Sequence, residues 1–533
     1  MAVDASGFLE QKSLMRPLPS PRFEVAPELE ACHHSAAAVV KELGSRSWFS
    51  YVTPVEGGLF CPRSYDAFEW TFASLLSVMA ALSAVMCLGT AYVFLRRRLR
   101  RCVQRGPRNI EVVHLLDAPA ITAVIPCYLP NEQHIIEETI EWIMCSVESP
   151  GPLEVLVVYN TPCDLPEIEA RLKELESAKH WPEGRRFRAE RVWESQSKAA
   201  NLNWAVRSLE SPLVVIYDAD HHPDVDSLML LWAKMGHTDA DCVQGSYYMR
   251  GLGSSQFAGT TAATSLIARI VDAEFFVDWH LTKLVTRSLF LGSGYFSGSN
   301  ALWRTAALAA REFSETAQTE DVDMAVQQLL DGRRIEFCPE SRSGELAPTG
   351  CLALWKQRLR WTIGWDETSL KYGGDFADAA NLSTRARCGL VWTFLVRWAI
   401  TALTMGAVYM GMPLTTYWPL SVANWGGLIT FLGHTCFLMG LGPWLFATLE
   451  AIAQNHRRGK EGALQVASVF LVASPLGSAL FFFFNFALQL TSLFKLWRGT
   501  VSGWEVTERS VPQQKHVAAG PPILAVELSG ALP

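Results

Sequence analysis

Apolar and polar positions alternate on two length scales along this chain. On the long scale, Trp70 to Leu95 carries no acidic or basic residue and ends in Arg96-Arg97-Arg98-Leu99-Arg100-Arg101. A membrane span needs about 20 such residues, and a basic cluster marks its cytoplasmic end. Gly389 to Met412 is apolar except for Arg397, and Leu420 to Leu449 is uncharged, with a short turn expected over Pro413 to Pro419. The last uncharged run, Gly462 to Phe494, is interrupted by Pro475 and Gly477. It is long for one span and short for two, and a hairpin broken near Pro475 would return the tail to the basic side. The expected organisation is a polar N-terminal region (1–67), transmembrane helices at 68–96, 388–412 and 420–449, a transmembrane helix or broken hairpin at 462–496, and a tail at 497–533.

On the short scale, residues 110–345 alternate between strand-like and helical periods, and 350–386 read as interfacial helices. Ile121–Ile125, Leu153–Tyr159 and Leu213–Tyr217 are strand-like, mostly apolar runs. Glu132–Val147, Leu165–His180, Ser197–Leu209 and Pro223–Met235 carry helical patterns between and after them. Strands alternating with helices predict an α/β domain with a mostly parallel sheet covered on both faces, and ligands bind beyond the carboxyl ends of such strands. Composition sharpens this picture. Only 19% of residues are charged and the mean hydropathy is +0.13, as expected for a chain with membrane segments. There is no basic tail or basic-aromatic face for nucleic acid. The 12 cysteines are scattered, so no disulfide framework is expected. Cys32-His33-His34 lacks the spacing of a metal finger.

The run Val214-Val215-Ile216-Tyr217 stops on Asp218-Ala219-Asp220-His221-His222. On an extended backbone Asp218 and Asp220 would face the same way. Two such carboxylates suit Mg²⁺ or Mn²⁺ with phosphate oxygens and water completing the shell. The two histidines would point apart, at least one of them solvated or capping the next helix. Further motifs follow in order. Pro126-Cys127-Tyr128-Leu129-Pro130-Asn131-Glu132 ends the first strand and Ser197-Lys198-Ala199-Ala200-Asn201-Leu202-Asn203 opens a helix. Phe296-Ser297-Gly298-Ser299 is a small-residue loop, and Thr319-Glu320-Asp321 starts an acidic helix. Gln357-Arg358-Leu359-Arg360-Trp361 precedes the second span. Taken alone, Thr319-Glu320-Asp321 could be a helix cap with an acidic first turn, and Arg358, Arg360 and Trp361 an interfacial anchor.

The ordered set, with membrane segments on both sides, resembles the membrane-embedded family 2 inverting glycosyltransferases, the group of cellulose, chitin, hyaluronan and capsular β-glucan synthases. The resemblance covers roughly residues 70 to 500. It implies a nucleotide-diphospho-sugar transferase domain (Rossmann-like, GT-A) flanked by transmembrane helices. It implies a UDP-sugar donor, UDP-glucose or UDP-N-acetylglucosamine, held by Pro126, Tyr128, Glu132, Asn160, Lys198, Asp218 and Asp220. The metal, Mg²⁺ or Mn²⁺, would sit on Asp218 and Asp220. Asp321 would be the general base, with Glu320 shaping the site. Phe296, Gly298, Ser299, Gln357, Arg360 and Trp361 would hold the acceptor and pyrophosphate. The family's second strand usually ends in an aspartate; here Asn160 stands there, its amide oxygen able to accept from uracil N3–H, and the departure equally fits an altered choice of nucleotide.

The expected function is a processive inverting transfer that builds a β-linked polysaccharide and passes it through the protein's own spans. The partners would be the donor, the growing polysaccharide or a lipid acceptor, membrane lipid, and a second copy of the chain. The catalytic domain would face the cytoplasm, at the plasma membrane or Golgi, leaving the sequon Asn381-Leu382-Ser383 bare. A non-processive lipid glycosyltransferase of the ceramide kind is the first alternative, and a silent scaffold subunit the second.

Overall fold

The computed structural model describes residues 50–55, 59–64, 67–103, 118–177, 180–252, 262–288, 292–417, 426–456 and 458–501. Cys32-His33-His34, most of the polar N-terminal region and most of the C-terminal tail lie outside them. The chain divides into two compact units, Met1–Ser77 with Ala407–His434, and Val78–Gly406 with Thr435–Pro533. In the first, β1 (Ser50–Val55) and β2 (Leu59–Ser64) pair as an antiparallel ribbon, followed by the start of helix α1 (Ala67–Val103).

The second unit holds a mixed sheet of eight strands. They are β3 (Ile121–Tyr128), β4 (Leu153–Asn160), β5 (Arg185–Arg191), β6 (Leu213–Ile216), β7 (His222–Pro223), β8 (Cys242–Met249), β9 (Ala301–Arg304) and β10 (Ile335–Glu345). Their order is β5-β4-β3-β6-β9-β8-β10-β7. The four strands from β5 to β6 are mutually parallel, whereas β9 runs antiparallel to both its neighbours. Strands β8 and β10 pair in parallel, so six of the eight strands share one direction and only β9 and β7 run against them, the mostly parallel sheet that the sequence predicts. The central parallel strands β3, β4 and β6 are nearly all apolar because both faces are covered, and successive residues serve opposite cores. Ile121, Ala123, Ile125, Val155, Val157 and Val215 pack on one side with α2 (Ile136–Ser146), α3 (Pro166–Ser177) and α5 (Ser227–Thr238). Val124, Leu156, Val158, Val214 and Ile216 pack on the other with α4 (Lys198–Ser208) and α7 (Glu320–Leu330). Between β8 and β9 lies α6 (Ala262–Val277), extended by a π-helical turn over Asp278–Thr282.

After β10 comes α8 (Cys351–Tyr372). Gly364 lets it approach α7 closely, since a Cβ there would lie 2.2 Å from Thr319 Oγ1. Helix α9 runs through Thr384–Leu390, a π-helical stretch Val391–Val396 and Arg397–Tyr417. It thus continues through Pro413, where the sequence suggested a turn. Then follow α10 (Gly426–Asn455), α11 (Gly459–Ala473) and α12 (Pro475–Arg498). Among the described residues four helical segments are long and apolar enough to cross a membrane: Glu69–Leu99, Thr384–Val408, Leu428–Asn455 and Pro475–Arg498. The last apolar run breaks at Ser474, whose hydroxyl accepts from Gly477 N at 3.1 Å. Helix α11, at 15 residues, rises about 22 Å, short of the ~30 Å hydrocarbon core, and packs along α6.

One buried carboxylate ties α8 to two of the apolar helices. Asp366 is fully buried and accepts from Arg397 Nη2, from Trp398 Nε1 at 2.9 Å, from Gln489 Nε2 at 2.8 Å and from Ser492 Oγ at 2.6 Å. Arg397, the lone charge in its apolar run, is thus paired, as a charge removed from water must be.

Candidate active site

The parallel strands β3, β4 and β6 deliver the site at their carboxyl ends. Tyr128 is in register with Asn160 across β3 and β4, and Tyr217 N donates to Val124 O at 3.0 Å, so Asp218 emerges just beyond β6. Helix α4 brings Lys198 to the same edge, its N-terminus capped by Ser197 Oγ, which accepts from Ala200 N at 3.0 Å. These elements enclose a cleft of about 260 Å³ lined by Pro126, Cys127, Tyr128, Asn131, Glu132, Asn160, Gln196, Ser197, Lys198, Asn201, Asp218, Glu320 and Arg360.

Lys198 organises the charged end of this cleft. Its Nζ lies 2.6 Å from Asp218 Oδ1 and 3.3 Å from Glu320 Oε1, and 3.5 Å from Gly298 O. Burial works against the ammonium, but Asp218, Glu320 and Asp321 outweigh it and its pKa is raised. Arg360 Nη1 donates to Gln318 O at 3.1 Å, which fixes α8 against the entry to α7. Asp321 is pushed up to about 6, first by burial, then by the neighbouring Glu320 charge, against Lys198, the Val322 amide and Arg360. That is a suitable range for a general base at neutral pH. Thr319 makes no side-chain cap on α7, so its motif is not explained by helix capping.

The small-residue loop forms the floor under Asp321. Gly298 has φ +94°, and a Cβ there would lie 2.8 Å from Asp321 Oδ2. Two β8 residues that sequence reasoning missed hold the loop. Gln244 Oε1 accepts from Ser297 N at 2.8 Å and its Nε2 donates to Ser299 O at 2.7 Å. Tyr247 OH accepts from Ser299 N at 3.0 Å and donates to Ser297 O at 2.7 Å. They lie in a strand without a motif, and only the loop they serve could have signalled them.

Several expected roles change. The Asp218–Asp220 stretch is a turn closed by His221 N donating to Asp218 O at 2.9 Å, not extended backbone. Asp218 lines the cleft; Asp220 is buried and accepts from Leu346 N at 3.2 Å. Neither histidine is solvated. His221 lies between Ser343 Oγ and Glu345 Oε2, each at 3.1 Å. His222 sits in β7 with its ring stacked on Trp142, and burial and then Arg250 push its pKa down to about 3. Phe296 is not an acceptor contact: it is fully buried, packed edge-on to Trp303 and against Phe313. Its apolar ring fits the core better than a wet loop. Ser299 turns inward and accepts the Asp218 N–H at 3.0 Å. Gln357 and Trp361 do not line the cleft. Arg358 stacks on Trp361 at 4.4 Å and pairs with Glu274 of α6 at 2.8 Å.

Away from Lys198, Asn160 Nδ2 donates to Ser195 O at 3.2 Å, and Asn160 Oδ1 accepts from Asn201 Nδ2 at 2.8 Å. Asn201 Nδ2 also lies 3.4 Å from Cys127 O. Asn160 thus engages its amide oxygen within the protein, whereas the aspartate it replaces would offer only acceptors. Among the described residues no group of three or more His, Cys, Asp or Glu side chains forms a metal cage. Carboxylate oxygens at the charged end still fit a hard cation that keeps water and phosphate ligands.

Residues 213–449 match the family model described as "Glycosyl transferase family group 2". A probable glucomannan 4-beta-mannosyltransferase 7 of Oryza sativa subsp. japonica is 23% identical over 406 residues, 73% of this chain and 66% of the relative. A poly-beta-1,6-N-acetyl-D-glucosamine synthase of Staphylococcus aureus (strain COL) is 24% identical over 305 residues, 56% of this chain and 66% of the relative. The matches therefore span just under two thirds of either relative. Among solved structures, the mannosyltransferase PcManGT from Pyrobaculum calidifontis, in complex with GDP-Man and Mn²⁺, superposes with a TM-score of 0.40 at 18% identity, covering 79% of this chain and 99% of that one. Residues 213–449 thus carry the likeness to glycosyltransferase family group 2, in a chain that has, among the described residues, four helical segments long and apolar enough to cross a membrane.

Proposed function

We propose that the protein is a processive inverting glycosyltransferase that polymerises a UDP-sugar into a β-linked polysaccharide. The observation that carries this reading is Lys198. It joins Asp218 at the strand end to Glu320 beside Asp321, so donor-side and acceptor-side carboxylates meet across one cleft. An inverting transfer is a single displacement at the anomeric carbon, and it needs a base for the incoming hydroxyl and positive charge for the departing diphosphate. Asp321 takes the acceptor proton. Lys198 and Arg360 supply fixed positive charge where the diphosphate leaves. Glu320 holds Lys198, and the Gly298 backbone gives the base room.

Mg²⁺ or Mn²⁺ fits the carboxylates of Asp218 and Asp220, and when bound it neutralises charge on the diphosphate. The relatives named as polysaccharide-forming enzymes support polymerisation over a single transfer. The basic end of α1 supports a cytoplasmic catalytic domain, facing donor on one side and membrane lipid on the other. The test is nucleotide release by the purified full chain in detergent, with a panel of nucleotide sugars. Turnover lost in Asp321→Asn supports the reading. Undiminished turnover in that variant removes Asp321 as the base.

A further inference from the structure

The cleft has two chemically different ends. Lys198, Asp218, Glu320 and Arg360 cluster at one end, while Asn160 and Asn201 set two amides at the other, beside Tyr128, whose N–H donates to Glu132 Oε2 at 2.8 Å. A diphosphate belongs at the first and a nucleobase at the second. The orientations of the two amides follow from the backbone. Ser195 O at one side and Cys127 O at the other are acceptors only, and each faces an amide nitrogen. Flipping the two amides together would set an oxygen against each carbonyl, and flipping one would also break the 2.8 Å bond between them. The chain Ser195 O, Asn160, Asn201, Cys127 O therefore has one sense. In that sense Asn201 is left with a side-chain oxygen, Oδ1, that has no hydrogen-bond partner among the described residues, although the residue is 1% exposed. A buried carbonyl left unpaired is costly, and this one belongs to a residue of the nucleobase end.

We propose that Asn201 Oδ1 accepts the ring N–H of the donor nucleobase, so that Asn201, oriented by Asn160, sets base specificity. The proposal rests on the nucleotide-sugar transfer proposed above. The chemistry it reads is a lactam N–H, the N3–H of uracil or the N1–H of guanine. Cytosine and adenine present an unprotonated ring nitrogen there. Asn160 does not present its oxygen to the base as the sequence suggested. It spends that oxygen orienting Asn201, which presents its own.

The experiment is calorimetric binding of UDP, N3-methyl-UDP, GDP, N1-methyl-GDP and CDP to the full chain in detergent with Mn²⁺, for the wild type and for Asn201→Ala. One of UDP and GDP is expected to bind the wild type tightest, and which one names the base. N-methylation of that ligand and replacement by CDP should each weaken binding about 10- to 100-fold. In Asn201→Ala the parent nucleotide should weaken by a similar factor and the methylation penalty should shrink to about twofold. A methylation penalty that survives Asn201→Ala overturns the role of Asn201 while leaving the transferase reading intact. Absence of binding by any of the nucleotides overturns both. If Asn201→Ala does not fold, the wild type alone decides: equal affinity for the parent and the N-methylated nucleotide overturns the proposal, and the expected loss supports it.

Discussion

Replacing Gly298 by alanine separates the floor of the base from everything else in the site. The residue has φ +94°, and its added Cβ would stand 2.8 Å from Asp321 Oδ2, 3.4 Å from Cγ and 3.5 Å from Cβ. Two costs follow. A non-glycine residue held in that backbone region is strained by about 1–3 kcal/mol. The contact with Oδ2 is about 0.6 Å inside ordinary van der Waals distance, so the loop or the carboxylate must move. The loop is held by Gln244 and Tyr247, so Asp321 is the partner that yields. A misplacement of about 1 Å can cost about 10²-fold in rate, so Gly298→Ala is expected to lower kcat about 10- to 100-fold. Nucleotide affinity should stay within about threefold, because Asn160 and Asn201 lie at the other end of the cleft. Nucleotide release against sugar-donor concentration in detergent gives kcat, and calorimetry gives the affinity. Gly236→Ala, with open space around its added Cβ, is the control and should be neutral. A Gly298→Ala protein within about twofold of wild-type kcat would refute the placement of Asp321 against this loop.

Other consequences can be checked separately. The base must be ionised, so kcat/KM should fall as pH drops through about 6, the position of the Asp321 carboxyl. Glu320 raises that position and Lys198 lowers it, so Glu320→Gln should move the acid limb down and Lys198→Met should move it up; a limb unmoved by either contradicts the electrostatic account. Chelation should abolish turnover, with Mg²⁺ or Mn²⁺ restoring it. Asp218→Asn should raise the metal concentration for half-maximal rate at least about tenfold. Arg397→Met leaves the buried Asp366 without its cation and should destabilise the protein by about 3–5 kcal/mol, read as a lowered thermal midpoint in detergent, with partial recovery in the Arg397→Met/Asp366→Asn double variant.

The strands that carry the site were legible because they are buried on both faces and so read as mostly apolar runs. Three other strands of the sheet were not. Strand β5 is an edge strand of mostly charged residues, β9 has four residues and β7 two, too short for a period to show. Chemistry was legible where a residue type had one plausible use at its position. Asp218, Lys198, Glu320 and Arg360 do converge on the cleft. It was illegible where a motif position can serve the core equally well. Phe296 went inward to Trp303 and Phe313, and Trp361 took Arg358 on its ring. The Asp218–Asp220 turn could not be read either, since alternation says nothing about where a strand ends and a turn begins. Asn201 gained its place from a hydrogen bond to Asn160, 41 residues away in sequence, which no local pattern encodes.

The most direct test of the central claim is the product. The full chain in detergent, supplied with Mn²⁺ or Mg²⁺ and each nucleotide sugar in turn, should release nucleotide with one donor and yield a long polymer that a β-specific glycosidase digests, and Asp321→Asn should yield none. A product one sugar longer than its acceptor, extracting with lipid, would contradict processive synthesis. Polymer formed equally well by Asp321→Asn would contradict the site itself.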